Sequence, residues 1–166
     1  MYKVIIENKT FDVAKNTSIE DLIKANLPDI SVVAAIVNDK KVDLSSLIEE
    51  DSSIKIIKAS DPEGLEVIRH TCAHVFGHAL KQIYPNAKMV IGPTIDNGFY
   101  YDIDAKESIS EKDLSAIESL MKKLAKKNYK IIREVVTKEK AQSVFKERKE
   151  DYKLKLIEDI PVDEVI

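Results

Sequence analysis

The chain has 166 residues, 44% of them hydrophobic, one cysteine and a formal net charge of −3. That length admits one large domain or two small ones, and the apolar content is enough to bury cores. One cysteine excludes a disulfide scaffold, the lack of an apolar run of about 18 residues excludes a membrane-spanning helix, and Met1-Tyr2-Lys3-Val4 does not open a signal peptide, so the expected compartment is the cytosol, with no membrane partner.

Residues 1 to 60 predict a unit of short elements. Tyr2 to Ile6 alternates as a strand, Glu7-Asn8-Lys9 turns, and Thr10 to Val13 returns. Thr17 and Glu20 have the spacing of a capping box for a short helix through Ala25, which Pro28 ends. The apolar run Val32 to Val37 is a buried strand, Asn38-Asp39-Lys40 a turn, and Lys41 to Leu44 a short return. A helical turn at Ser46 to Glu49 then leads to a last strand, Ile54 to Ile57. This order of elements suggests a ubiquitin-like β-grasp fold. The unit holds no histidine, cysteine or catalytic cluster, so its default role is binding or positioning.

Ser60 to Gly64 is the expected joint. From Pro62 to Tyr84, apolar residues recur at three and four residue steps, with Asp61 as N-cap and Pro62 at the first helical position. Leu65, Ile68, Cys72, Phe76, Ala79 and Ile83 form the predicted packing stripe, with His70, His74 and His78 on the opposite side. The small residues Ala73 and Gly77 beside them leave room for an approaching group. His70 and His74, one turn apart, can aim at one shared water, metal or substrate oxygen. Thr71 stands where a zincin protease needs glutamate, and Cys72 lies on the packing side, so the two histidines are the only metal-ligand candidates and make half a site at most.

Beyond Pro85, Lys88 to Ile91 reads as a strand broken by Gly92-Pro93, and Asp96-Asn97-Gly98 gives a hairpin signal ahead of the strand Phe99 to Ile103. Phe99 and Tyr101 share one face and Tyr100 and Asp102 the other, so one tyrosine packs while the other is free to line a cleft. Ser110 caps a second long helix through about Lys127, with Leu114, Ile117, Leu120, Met121 and Leu124 inward. A strand at Lys130 to Val136, a helix at Lys138 to Arg148 and a strand at Asp151 to Ile157 complete the pattern. Two long helices on a mostly antiparallel sheet make an α+β domain that looks cut short. Residues 122 to 155 carry thirteen Lys and Arg against five Asp and Glu. A solvated surface and an RNA-facing patch both fit such a segment.

The stretches Gly64 to His74, Gly77-His78, Lys88 to Pro93 and Asp96 to Asp102 together resemble the amino-terminal part of bacterial threonyl-tRNA synthetases. Linked HxxxH and DNGFYYD motifs carry the resemblance, which covers essentially the whole chain. It implies a TGS domain of β-grasp fold at residues 1–60 and, at 61–166, the first part of an α+β editing domain. The family's editing site uses the HxxxH pair, matched by His70 and His74, with a lysine matched by Lys153 and a tyrosine matched by Tyr101. A later cysteine-and-histidine segment of that site has no counterpart here, since no histidine follows His78.

The implied reaction is hydrolysis of serine esterified to threonine tRNA. A threonine pocket cannot reject serine strongly, because one methyl is worth only about 1–3 kcal/mol, and a second site must remove the error. Neutral imidazoles would orient or activate water, while Lys153 would steady the substrate or the oxyanion. The expected partner is the acceptor end of tRNA(Thr). The parent ligase would be a homodimer through an aminoacylation domain using ATP, Mg and Zn, and this chain would be a fragment without that domain. Two other readings compete: a non-catalytic TGS-type binding module, and a freestanding alanyl-type deacylase with zinc.

Overall fold

A computed structural model describes all residues, 1–166, as a mixed α+β protein with five helices and one mixed five-stranded sheet. Cα packing divides the chain into two compact units, Met1–Arg69 and His70–Ile166, with the division inside a helix. No helix is long and apolar enough to cross a membrane.

In the first unit, β1 (Tyr2–Ile6), β2 (Lys9–Val13), β3 (Val32–Val37), β4 (Lys40–Val42) and β5 (Ser52–Lys58) form a sheet in the order β2-β1-β5-β3-β4. The central pair β1 and β5 is parallel and every other ladder is antiparallel. Both hairpin turns place two residues at positive φ, Glu7 (47°) with Asn8 (65°) and Asn38 (47°) with Asp39 (65°). This mirror-image turn matches the right-handed twist of the flanking strands. Helix α1 (Ile19–Asn26) lays Ile19, Leu22 and Ile23 on Val4, Ile6, Ala35, Ile54 and Ile56 of the sheet.

Two local expectations are corrected in this unit. The cap of α1 is Ser18, whose Oγ accepts from the Asp21 amide at 3.1 Å, while the Thr17 hydroxyl donates to the Ala14 carbonyl at 2.9 Å. Thr17 is drawn back into the preceding turn, and so cannot cap forward. Ser46 to Glu49 is not helical. The chain turns at Leu44-Ser45, and Leu47 bridges to Ser18. There an unpaired backbone gains more from a cross-chain bridge than from one isolated helical turn.

Helix α2 (Pro62–Ile83) spans the division between the units. In the second unit it is followed by β6 (Lys88–Met89), β7 (Thr94–Ile95), β8 (Gly98–Phe99), β9 (Ile103–Asp104), α3 (Glu111–Lys127), β10 (Val136–Thr137), α4 (Lys138–Glu147), α5 (Asp151–Asp159) and β11 (Glu164–Val165). Ala79, Leu80, Ala87, Met89, Ile117 and Leu124 form its main core, and Ala141, Ile157 and Val165 a smaller one. The start of α3 is fixed by Asp113, which accepts from the Ser110 amide at 2.8 Å and its hydroxyl at 2.6 Å. Its end is Asn128 in the left-handed region. Leu114, expected inward, is 52% exposed.

The expected antiparallel sheet of this unit is replaced by three two-stranded ladders, β6–β9, β7–β8 and β10–β11. The span Lys130 to Val136 is a strand only at its last residue, and Ile131 and Ile132 lie 72% and 78% exposed. A β-branched run needs a partner ladder to be a strand, and this one has none. Asp151 to Ile157 is helix α5, not a strand. The alternation of Tyr152, Leu154 and Leu156 imitates a strand, yet Ile157 is the buried residue and Leu156 is 43% exposed. Short apolar runs fit either period. Within the expected hairpin signal Asp96-Asn97-Gly98 the turn falls on Asp96-Asn97, and Gly98 begins β8 at φ 159°.

The sheet unit depends on close packing of its apolar face. Replacing Ile6, 1% exposed beneath α1, with alanine is expected to destabilise this unit by about 2–5 kcal/mol. Urea titration followed by NMR resonances of β1 and β5 would check it, and a loss well under 1 kcal/mol would contradict this account of the core.

Candidate functional site

The histidine helix presents a different face from the expected one. Ala73, Ala79 and Leu80 are 0–1% exposed and Gly77 is buried, whereas Leu65 and Ile68 are each 40% exposed. Amphipathic patterning weighs large side chains, but here close approach selects small ones. A methyl at Gly77 would stand 3.3 Å from Met89 Cε and 3.6 Å from the Tyr101 ring. The small residues therefore receive a neighbouring element, and His70 and His74, exposed as expected, stand at its border.

Their rings stack with centroids 4.8 Å apart and planes at 16°, as the one-turn spacing allows. Both line a cleft of about 340 Å³. Ala73, Ile91, Gly92 and Pro93 make its apolar walls, and Tyr101 and Lys153 join the histidines as its polar groups. The four residues singled out in the sequence, His70, His74, Tyr101 and Lys153, are thus brought together. His78 is exposed and Cys72 half-buried, and neither lines the cleft.

Each polar group has a physical reason for its place. Lys153 sits in the first turn of α5 and donates from Nζ to the Val90 carbonyl at 3.1 Å. Tyr101 lies across Gly92, where an added methyl would fall 2.5 Å from the ring, and its ring centroid is 6.0 Å from that of Phe76. Tyr100 is 47% exposed, so Tyr101 both packs and lines the cleft. Burial raises the Tyr101 pKa above its ordinary value, and the charge of Glu150 adds to this, so the phenol stays a neutral donor. Burial lowers the His74 pKa, helped by His70 and by the Lys153 ammonium. His74 is therefore a neutral imidazole at neutral pH, able to accept a proton or hydrogen bond.

No protein-family model matches the chain.

No group of three or more His, Cys, Asp or Glu is placed to hold a metal ion, and the cleft's donor set is two imidazoles with an ammonium and a phenol. That set does not suit a divalent cation, whose site needs more neutral or anionic donors. Its polar groups are instead an imidazole acceptor, a phenol and an ammonium set among apolar walls. Ile91 was legible as the end of a strand and Gly92-Pro93 as its break, with no local sign that they would wall a cleft. Lys81 and Glu150, joined at 2.5 Å behind the start of α5, carried no sequence signal linking them.

Two measurements follow from this geometry. NMR titration should place the His74 pKa below 6.5, and Lys153→Met should raise it; an unshifted value would refute the burial and charge argument. Because the depressed pKa favours the neutral form in the fold, this group's contribution to stability is complete above pH 6.5 and declines as pH falls through its folded pKa. Gly92→Ala should displace the Tyr101 ring, costing about 1–3 kcal/mol and shifting Tyr101 ring resonances. An unchanged ring environment would show that the close approach is not required.

Proposed function

We propose that the second unit carries part of an aminoacyl-ester hydrolysing site of the kind that edits mischarged tRNA in threonyl-tRNA synthetases. One observation carries this reading: His70, His74, Tyr101 and Lys153, chosen from three separate stretches of sequence, line one cleft. Supporting it, the first unit's strand order β2-β1-β5-β3-β4, its parallel β1–β5 pair and its single packed helix agree with the β-grasp fold expected of a TGS domain.

In the proposed reaction the substrate is serine esterified to the 3′ end of tRNA(Thr). His74, neutral near pH 7, accepts a proton from the attacking water, and His70 orients that water. Lys153 and the Tyr101 hydroxyl donate to the ester carbonyl oxygen as negative charge develops there. Water adds to the carbonyl carbon, the ester C–O bond breaks, and the ribose hydroxyl leaves with a proton. Serine and tRNA are the products. The exposed lysines of α3, Lys122, Lys123, Lys126 and Lys127, are suited to the phosphates of the acceptor end. The parent protein would be an ATP-, Mg- and Zn-dependent threonine-tRNA ligase.

The test is single-turnover hydrolysis of seryl-tRNA(Thr) against threonyl-tRNA(Thr), using the full gene product and its His70→Ala/His74→Ala form. We expect faster loss of the serine ester, at least a hundredfold reduction in the double variant, and a rate that falls as pH drops below 6.5. Equal rates for wild type and variant, or a flat profile between about pH 5 and 8, would refute the role of the histidines and favour a TGS-type binding module.

A further inference from the structure

Four consecutive side chains at the start of α5 reach four different places around the cleft. Glu150 Oε1 accepts from Lys81 Nζ of α2 at 2.5 Å, Asp151 pairs with Lys88 of β6, Tyr152 donates to Asp104 Oδ2 of β9 at 3.0 Å, and Lys153 donates to the Val90 carbonyl. They are not equivalent. The Asp151 side chain is 61% exposed, and an exposed ion pair constrains little. Glu150 is 13% exposed and its second oxygen, Oε2, is buried without a hydrogen-bond partner. Such an orphaned carboxylate oxygen opposes folding and calls for a reason.

The surrounding backbone supplies one. The chain leaves α4 through Lys149 in the left-handed region, at φ 57°, and re-enters a helix at once. The Glu150 carbonyl accepts from the amides of Lys153 at 3.0 Å and Leu154 at 3.2 Å, so the turn bearing Lys153 is built directly on Glu150. Fixing the Glu150 carboxylate to α2, the helix of His70 and His74, therefore fixes where Lys153 starts.

We infer that Glu150 is a positioning residue for this cleft: held by Lys81, it sets the first turn of α5 so that the Lys153 ammonium lies at the Val90 carbonyl, on the same cleft as His70 and His74. Breaking one partner of a half-buried pair leaves the other charge uncompensated, so the turn rearranges instead of tolerating the loss. The catalytic meaning of this rests on the editing reading above; the placement of Lys153 does not.

The experiment follows the Ile91 amide resonance of the full chain, because that peptide group's carbonyl belongs to Val90 and its shift reports the Lys153 hydrogen bond. Lys153→Met should move it, and Glu150→Gln should move it in the same direction by at least half as much. Lys81→Met, which approaches the pair from α2, should do the same. Glu150→Asp keeps the charge and guards against a variant that does not fold; its shift should fall between wild type and Glu150→Gln. In single-turnover deacylation, Glu150→Gln/Lys153→Met should lose no more than Lys153→Met alone. An Ile91 amide at its wild-type position in folded Glu150→Gln, an unmoved amide in Lys153→Met, or additive losses in the double variant would overturn the inference. If wild type hydrolyses no aminoacyl ester, the editing reading fails while the Ile91 comparison still decides whether Glu150 positions Lys153.

Discussion

The second unit depends on the contact between the Tyr101 ring and two positions without side chains, Gly77 on α2 and Gly92 beyond β6. Any Cβ at position 92 would lie within the ring's van der Waals envelope, while one at 77 would crowd Met89 Cε at 3.3 Å and meet the ring at ordinary contact distance, 3.6 Å. Removing both lets an aromatic face settle directly on the histidine helix. Phe76 and Met89 close the contact from the sides, which ties the cleft to the main core. The apolar wall is therefore rigid for the same reason that core interiors are, since close-packed groups transmit displacement instead of absorbing it. A wall of that kind can hold imidazoles at a constant distance from a ligand.

Much of this arrangement was legible in the sequence, and the legible parts share a physical cause. The caps at Ser110 and the turns at Glu7-Asn8 and Asn38-Asp39 are local, involving residues within three or four positions, and they appear close to where the sequence places them. The long helix carrying the histidines follows from sustained periodicity over 22 residues. The gathering of His70 and His74 also needs only helical geometry. Their meeting with Tyr101 and Lys153 does not, because that requires α5 to pack near β6, and no local pattern encodes it. The resemblance to a known family brought those residues forward; composition and spacing alone would not have.

The failures are equally physical. Patterning assigns faces by side-chain size, so it turned α2 toward Leu65 and Ile68 and away from Ala73 and Gly77, although close approach needs the small residues. In α5, apolar groups at alternate positions fit a strand over a few residues, and only the burial of Ile157 distinguishes the helical period. The span from Tyr129 to Val135 has strand composition with no ladder to join. Tyr129 and Val135 stay 62% and 47% exposed, which shows that strand propensity is a property of neighbours as much as of residues. The ion pair of Lys81 and Glu150 joins distant positions and leaves no trace in any window of sequence.

The charge distribution around the cleft narrows the ligands it suits. None of its lining residues is acidic, and partial burial, His70 and the Lys153 ammonium together lower the His74 pKa. Glu150 is paired with Lys81 and is not among the lining residues, so it presents no anion to the ligand. Burial shifts the Tyr101 pKa up and the His74 pKa down, because low polarity disfavours whichever form carries charge. One environment thus prepares a proton acceptor and a proton donor together. Ester hydrolysis requires both at once, an acceptor for the proton of attacking water and donors for the carbonyl oxygen. A simple cation-binding pocket would need the opposite arrangement, with carboxylates turned inward and the lysine excluded.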